Sequence, residues 1–284
     1  MSKPPWLKKR LPPYQDLARV KSILDQTSLH TVCEEARCPN LGECFSKGTA
    51  TILILGKICT RNCGFCAVEH GIPLPLDETE PENVAQAVQK MGLQYVVVTS
   101  VTRDDVSDGG ASHFAKTIQA IRALDQKIKV EVLIPDFQGD PTSLETVLEK
   151  CPDVLNHNIE TISRLYPQVR PQADYRRSID LLKRSKQNSP QLFTKSGFML
   201  GLGESREEVL ELLRDLRKAR CDFLTIGQYL QPRPDCLPVV RFIPPEEFEG
   251  YKAIGEKMGF RAVASGPFVR SSFHASLLFE STQI

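Results

Sequence analysis

From Thr51 onward the sequence alternates six times between short apolar runs rich in β-branched residues and segments of helical periodicity. The runs are TILILG (51–56), YVVVTSV (95–101), KVEVLIP (129–135), DVLNHNI (153–159), LFTKSGFMLGL (192–202) and FLTIGQYL (223–230). Helical patterns fall at 81–91, 111–124, 142–150, 175–186, 205–219 and 245–258. Parallel strands need a crossover between them, and a helix is the usual one, so this rhythm predicts an α/β fold with a parallel sheet. The runs are apolar almost throughout, as strands covered on both faces should be. Periodicity alone leaves open whether six such units close into a barrel or remain an open arc.

Local chemistry supports the helix starts. Pro81 suits a first helical position, and Ser205 with Glu208 three residues on reads as a capping box. Upstream, Leu17, Val20, Ile23 and Leu24 predict a helix over 16–26. The following segment from Cys33 to Cys44 reads as an irregular loop, because Pro39, Asn40 and Gly42 interrupt any period.

A chain of 284 residues, 41% of them hydrophobic, can bury one large α/β core. A net charge of +1 gives no reason to expect nucleic acid as a partner. Lys8-Lys9-Arg10 reads as a solvated tail rather than a docking patch. No stretch approaches the roughly 18 apolar residues of a membrane span, and MSKPPWLKKRLPPY lacks the apolar centre of a signal peptide. Six of the nine cysteines crowd into positions 33–66, which is unlike a small secreted disulfide scaffold. Metal ligation in a reducing cytoplasm explains the crowding better.

Cys59, Cys63 and Cys66 have the spacing Cys-x3-Cys-x2-Cys, three residues beyond the first apolar run. In βα architectures function gathers at the C-terminal ends of strands. A structural zinc site wants four ligands, usually as two Cys-x2-Cys pairs, and no further Cys or His arrives before His70. Three thiolates can instead hold three irons of a 4Fe-4S cluster, leaving the fourth open to a substrate or cofactor.

CTRNCGFC, with Phe65 before its last cysteine, resembles the signature of the radical S-adenosylmethionine (SAM) enzymes. CEEARCPNLGEC, placing Cys33, Cys38 and Cys44 at Cys-x4-Cys-x5-Cys, resembles the auxiliary-cluster motif of the lipoyl synthase family. KPPWLKKR, VTSVTRDDVSDGGA, VEVLIPDFQG, NHNIET, VRPQADYRRS, KSGFMLGLGE, LTIGQYLQP and GPFVRSSFHA are similar to blocks of the same family, so the resemblance covers most of the chain.

That resemblance implies a partial (β/α)6 TIM-type barrel over 49–260, an N-terminal extension (1–48) carrying the auxiliary cysteines, and a C-terminal tail (261–284). It implies two 4Fe-4S clusters and SAM as cofactors. In the family the first cluster chelates SAM and yields a 5′-deoxyadenosyl radical, and sulfur passes from the second cluster to carbons 6 and 8 of an octanoyl chain. The fourth ligand of the second cluster falls on Ser272 of Arg270-Ser271-Ser272-Phe273-His274-Ala275, with Phe273 where the family more often has tyrosine. SAM contacts fall on Asn158, Glu160 and Arg170. Implied partners are an octanoylated lipoyl carrier, either an E2 lipoyl domain or an H protein, and a low-potential donor such as ferredoxin or flavodoxin. A cytoplasmic monomer is expected, without nucleic acid or membrane, and with no catalytic side chains beyond the cluster ligands, because proton transfer cannot open unactivated C–H bonds.

Blander readings stand beside these. Ser272 could cap a helix starting at HASLLFE, and Asn158 and Glu160 could satisfy loop backbone. GLGE (201–204) reads as a tight turn, and Asp108-Gly109-Gly110 as a helix start or a close backbone approach. His70 and His113 read as ordinary loop and helix residues, and Cys151 and Cys221 as buried free thiols. Arg233 and Cys236 depart from the family pattern, which leaves the role of their loop open. Two rival functions remain: another radical SAM enzyme, biotin-synthase-like or methylthiotransferase-like, and a non-enzymatic iron–sulfur or zinc module. Neither rival explains the pairing of Cys33, Cys38 and Cys44 with Arg270-Ser271-Ser272.

Overall fold

The computed structural model describes residues 3–9 and 14–282, so Arg10 of the basic run lies outside the described residues. The chain forms two compact units, each made of discontinuous stretches: one of 10–61 and 67–155, the other of 1–9, 62–66 and 156–284.

The first unit begins with α1 (Tyr14–Gln26), β1 (His30–Thr31), α2 (Val32–Glu35), α3 (Leu41–Ser46) and β2 (Thr51–Ile54). It continues through β3 (Ile58–Cys59), β4 (Glu69–His70), α4 (Glu80–Met91), β5 (Tyr95–Ser100), α5 (Ala111–Leu124), β6 (Lys129–Leu133) and α6 (Pro141–Leu148). β7 (Val154–Asn156) leads out of it. The strand order is β1-β2-β5-β6-β7, with β1 antiparallel to β2 and β2, β5 and β6 mutually parallel. β3 and β4 form a separate parallel pair. Val96, Val98, Val130, Val132, Val154 and Leu155 are wholly buried, the signature of strands covered on both faces. α4 stops at Gly92, whose φ of 69° is the left-handed geometry glycine takes without steric cost. Both readings of Asp108-Gly109-Gly110 hold. The Asp108 carboxylate accepts from the Gly110 and Ser112 amides (2.9 and 2.8 Å), and a Cβ at Gly110 would overlap Leu55.

The stretch expected to be an irregular loop contains α2 and α3. Thr31 caps α2 by accepting from the Glu34 amide at 3.3 Å, and the Asn40 carbonyl takes the Cys44 amide at 2.9 Å to start α3. Pro39 and Asn40 interrupt the pattern only between the two helices, so the breakers mark a junction and not a loop.

The second unit contains α7 (Tyr166–Val169), α8 (Tyr175–Asn188), β8 (Phe193–Leu200), α9 (Arg206–Lys218), β9 (Phe223–Gln228), α10 (Pro245–Lys257), β10 (Ala262–Gly266) and α11 (Ala275–Glu280). β8, β9 and β10 are parallel in that order. Ser205 and Glu208 make the expected capping box at the start of α9. That helix buries Val209, Leu212, Leu213 and Leu216, spaced three and four apart, each at 1% exposure or less. Their burial is worth up to about 2 kcal/mol per side chain, and Leu213→Asp would break the stripe. β10 was not among the six expected strands; its small residues give little β signal, and it gains its place by pairing with β9 from Ala262 to Gly266.

Cys221 is buried, as expected, with its thiol donating to the Phe223 carbonyl at 3.3 Å. Cys151 is exposed, against expectation. It follows α6 with φ of 49°, a left-handed turn that aims its side chain outward. Among the described residues no helix is long and apolar enough to cross a membrane.

Candidate cofactor site

Cys59 lies on β3 in the first unit, where its sulfur accepts two backbone amides, from Arg61 at 3.4 Å and Thr102 at 3.3 Å. Amides aimed at a sulfur stabilise a thiolate on iron and help set the cluster potential. Arg61, 5% exposed, holds this turn in place. Its Nε and Nη2 donate to Asp104 at 2.6 and 2.9 Å, and Nη2 donates also to the buried Asp136 at 2.6 Å. Thr60 adds a second tie, donating to the Thr102 carbonyl at 2.9 Å and accepting the Asp104 amide at 3.0 Å.

Cys63 and Cys66 belong to the second unit. The Cys66 amide donates to the Cys63 carbonyl at 3.1 Å. Between them Gly64 donates to the Val169 carbonyl (2.9 Å) and accepts the Leu237 amide (2.8 Å). A Cβ at Gly64 would stand 3.0 Å from both the Gln168 carbonyl and Leu237, so the glycine allows this close approach. Phe65 packs against the apolar core of the unit. Cys236 is buried, its thiol donating to the Cys66 carbonyl at 3.4 Å, while Arg233 pairs with Asp235 at 3.1 Å.

Cys33 sits on α2 and Cys44 on α3, and the Cys38 amide donates to the Cys33 carbonyl at 3.0 Å. Burial pushes the Cys33 thiol up to about 12; hydrogen bonds from Thr51 oppose this, and the neighbouring Cys38 and Cys44 thiolates reinforce it. Cys38 and Cys44 thus lie close enough to Cys33 to act on its thiol. That donor set fits a cationic iron cluster, whose binding releases the protons. Among the described residues no three His, Cys, Asp or Glu side chains converge on a point for a single metal ion. The ligands of a cube each take a different iron.

Asn158, Glu160 and Arg170 are brought together in the second unit. The Asn158 amide donates to Glu160 Oε1 at 3.0 Å, and Arg170 Nη1 donates to the Asn158 carbonyl (2.8 Å) and to the Tyr166 hydroxyl (3.2 Å). Glu160 has φ of 66°, held by backbone bonds to β8 on both sides: its amide donates to Gly197 and its carbonyl accepts from Met199. Its side chain is thus free of loop duty. Burial pushes the Glu160 carboxyl up, against the pull of Arg170, Asn158 and Arg270. Half-buried carboxylate, amide and guanidinium groups on one shelf suit the ribose hydroxyls and the amino-acid end of SAM.

Ser272 does not cap α11; the N-cap is His274. Ser271, beside it, donates to Asn158 Oδ1 and accepts from Asn156 Nδ2, both at 2.8 Å. Sequence reasoning missed Ser271, Asn156, Tyr166 and the Arg61–Asp104–Asp136 group as site residues. Ser271 and Arg61 could have been found inside the two motifs, while Asn156 and Asp136 carry only the weak signal of polar residues ending apolar strands. GLGE is the tight turn expected, with Glu204 accepting the Gly201 and Leu202 amides at 2.6 and 2.9 Å. His70 is exposed on β4, and His113 on α5 is buried against Glu80 at 2.7 Å.

Comparison with known proteins places this geometry in a class. The Radical SAM superfamily model matches residues 53–216, and the α/β fold with its mostly parallel sheet is the partial TIM-type barrel class of that superfamily. The solved structure of methylornithine synthase (PylB) is similar in fold, with a TM-score of 0.51 and 16% identity over 86% of this chain and 81% of that one. HydG, a maturase of the [FeFe]-hydrogenase, gives a TM-score of 0.59 at 16% identity over 88% of this chain and 65% of that one. A model of the N-terminal domain of lipoyl synthase of the Radical SAM family matches residues 1–38. The lipoyl synthase of Caldanaerobacter subterraneus is 56% identical over 97% of this chain and 96% of its own length. That of Syntrophotalea carbinolica is 55% identical over 98% and 90%. The chain belongs to the lipoyl synthase family.

Proposed function

We propose that this chain inserts two sulfur atoms, at C6 and C8, into an octanoyl group carried on a lysine of a protein substrate, giving the lipoyl group. The observation that carries the reading is the double hydrogen bond that seats Ser271 of Arg270-Ser271-Ser272 on the Asn158–Glu160 shelf. A serine proposed to ligate the sulfur-donating cluster is thereby adjacent in sequence to a residue bonded to the proposed SAM shelf.

Cys59, Cys63 and Cys66 would hold the 4Fe-4S cluster that binds SAM. Cys33, Cys38, Cys44 and Ser272 would hold a second, consumed as the sulfur substrate. Bound together, the first cluster and SAM supply hydrogen-atom abstraction from unactivated C–H bonds. The chain's own residues bind and orient. Glu160 and Asn158 would hold ribose hydroxyls and Arg170 the methionine carboxylate, while the Arg61–Asp104–Asp136 group fixes the turn that presents Cys59. A serine oxygen on iron is harder than thiolate and leaves more readily on protonation, which suits a cluster taken apart during turnover. The chain is divided functionally into 1–48, 49–260 and 261–284. The protein substrate is an octanoylated E2 lipoyl domain or H protein, and the electron donor is a low-potential ferredoxin or flavodoxin.

The test is anaerobic reconstitution with an octanoylated carrier peptide, SAM and dithionite, followed by mass spectrometry. Two added sulfurs are expected. SAM cleavage without any sulfur-bearing product would overturn the reading in favour of a different radical SAM enzyme, and no SAM cleavage would favour a carrier module.

A further inference from the structure

We infer that Ser271 is a positioning residue that couples the SAM shelf to the C-terminal segment, so that binding of SAM and seating of that segment favour each other. The inference rests on the proposed assignment of Asn158, Glu160 and Arg170 to SAM.

Four observations within the second unit carry it. First, the hydrogen bonds run in one consistent direction. Asn156 Nδ2 donates to Ser271 Oγ, Ser271 Oγ donates to Asn158 Oδ1, and Asn158 Nδ2 donates to Glu160 Oε1, at 2.8, 2.8 and 3.0 Å. A hydroxyl that accepts on one side and donates on the other fixes which way the Asn158 amide points. Only with its oxygen toward Ser271 does Asn158 turn its N–H toward Glu160.

Second, Asn156 ends β7 and is wholly buried, so the chain starts from a rigid strand end. Third, the strands are cleared for this arrangement. A Cβ at Gly197 on β8 would stand 3.1 Å from Asn158 Oδ1, and a Cβ at Gly227 on β9 would overlap the Val269 carbonyl and stand 3.1 Å from Arg270 Nη1. The bare glycine backbone lets 269–270 lie directly against β9. Fourth, Arg270 is close enough to Glu160 to pull on its carboxyl, a second link from the segment to the same residue.

Ser271 and Arg270 thus act on the shelf through Asn158 and Glu160, while Ser272, the next residue, is left to the second cluster. A ligand that orders Asn158 and Glu160 orders the segment, and by reciprocity a seated segment tightens SAM.

The test compares reconstituted wild-type protein with Ser271→Ala and Ser271→Thr under anaerobic conditions. Ser271→Ala removes two ordinary hydrogen bonds and should weaken SAM binding about tenfold by equilibrium titration. Iron content should stay at the wild-type level, because Ser272 is intact. Ser271→Thr keeps the hydroxyl and should restore most of the affinity, which a role in packing alone would not. In wild-type protein, SAM should slow amide hydrogen exchange across 267–273, a readout that does not depend on how the variants fold. Unchanged SAM affinity in Ser271→Ala, or no SAM effect on exchange in that segment, would overturn the coupling and leave the proposed function standing. Failure of the wild type to bind SAM at all would remove both.

Discussion

Arg61→Met tests how the turn bearing Cys59 is held. Arg61 is 5% exposed and makes three charge-assisted bonds, two in a fork to Asp104 and one to Asp136, which is itself 1% exposed. Removing the guanidinium takes away the cation that donates to the buried Asp136 at 2.6 Å, and breaking a buried pair from one side costs about 3–5 kcal/mol. Asp104 is more exposed and loses less, since water can replace the fork. At roughly 2–4 °C per kcal/mol for a large domain, the melting temperature should fall by about 6–20 °C. Arg61→Lys keeps the charge but cannot reach two carboxylates in a fork, so an intermediate loss is expected. The decisive arm is Arg61→Met with Asp136→Asn, which removes both partners and should recover part of the loss. Thermal unfolding of the four proteins, anaerobic and equally loaded with iron, reads the effect. If Arg61→Met melts within about 1 kcal/mol of wild type, the group behaves as a surface pair and the anchoring argument is wrong.

Cys33→Ala should retain reductive SAM cleavage and lose sulfur transfer, checked by measuring 5′-deoxyadenosine and lipoyl product in the same reaction. Gly227→Ala drives a methyl into the Val269 carbonyl, so the segment carrying Ser272 should be displaced, with loss of lipoyl product and faster exchange across 266–273. Glu208, bonded to Arg164 and to the Ser205 amide, has its carboxyl held down at about 2. A carboxyl lowered on folding stabilises above its ordinary unfolded value near 4.5 and loses that contribution as pH falls toward 2. Glu208→Gln should therefore flatten the dependence of stability on pH in that window, followed by urea unfolding at pH 5 and pH 3. The pair is exposed, so the change will be small.

All six apolar runs became strands and the helical patterns became helices, because strand burial on both faces and helix amphipathicity leave direct marks on local sequence. What escaped was decided by tertiary contact. α2 starts where the Thr31 hydroxyl takes the Glu34 amide and α3 where the Cys38 carbonyl takes the Leu41 amide, contacts invisible beside Pro39 and Gly42. β10 exists because β9 offers an edge. Cys151 read as buried from its apolar neighbours, but a left-handed turn reversed its direction. In the site, cysteine spacing made Cys59, Cys63 and Cys66 legible as candidate cluster ligands, while Cys33, Cys38, Cys44, Ser272, Asn158, Glu160 and Arg170 were named by resemblance. Their connection to Ser271 spans more than a hundred residues of sequence, with separations of 115 and 113 for its two bonds, and no local pattern encodes it.

The central claim is that one chain carries two iron–sulfur clusters and sacrifices one as substrate. It is tested by loading the protein with heavy-isotope sulfide, removing the excess, and running a single turnover on octanoylated carrier peptide. Two heavy sulfurs in each product, with about four of roughly eight irons released per chain, are expected. Product carrying only light sulfur, or full product with every iron retained, would contradict it.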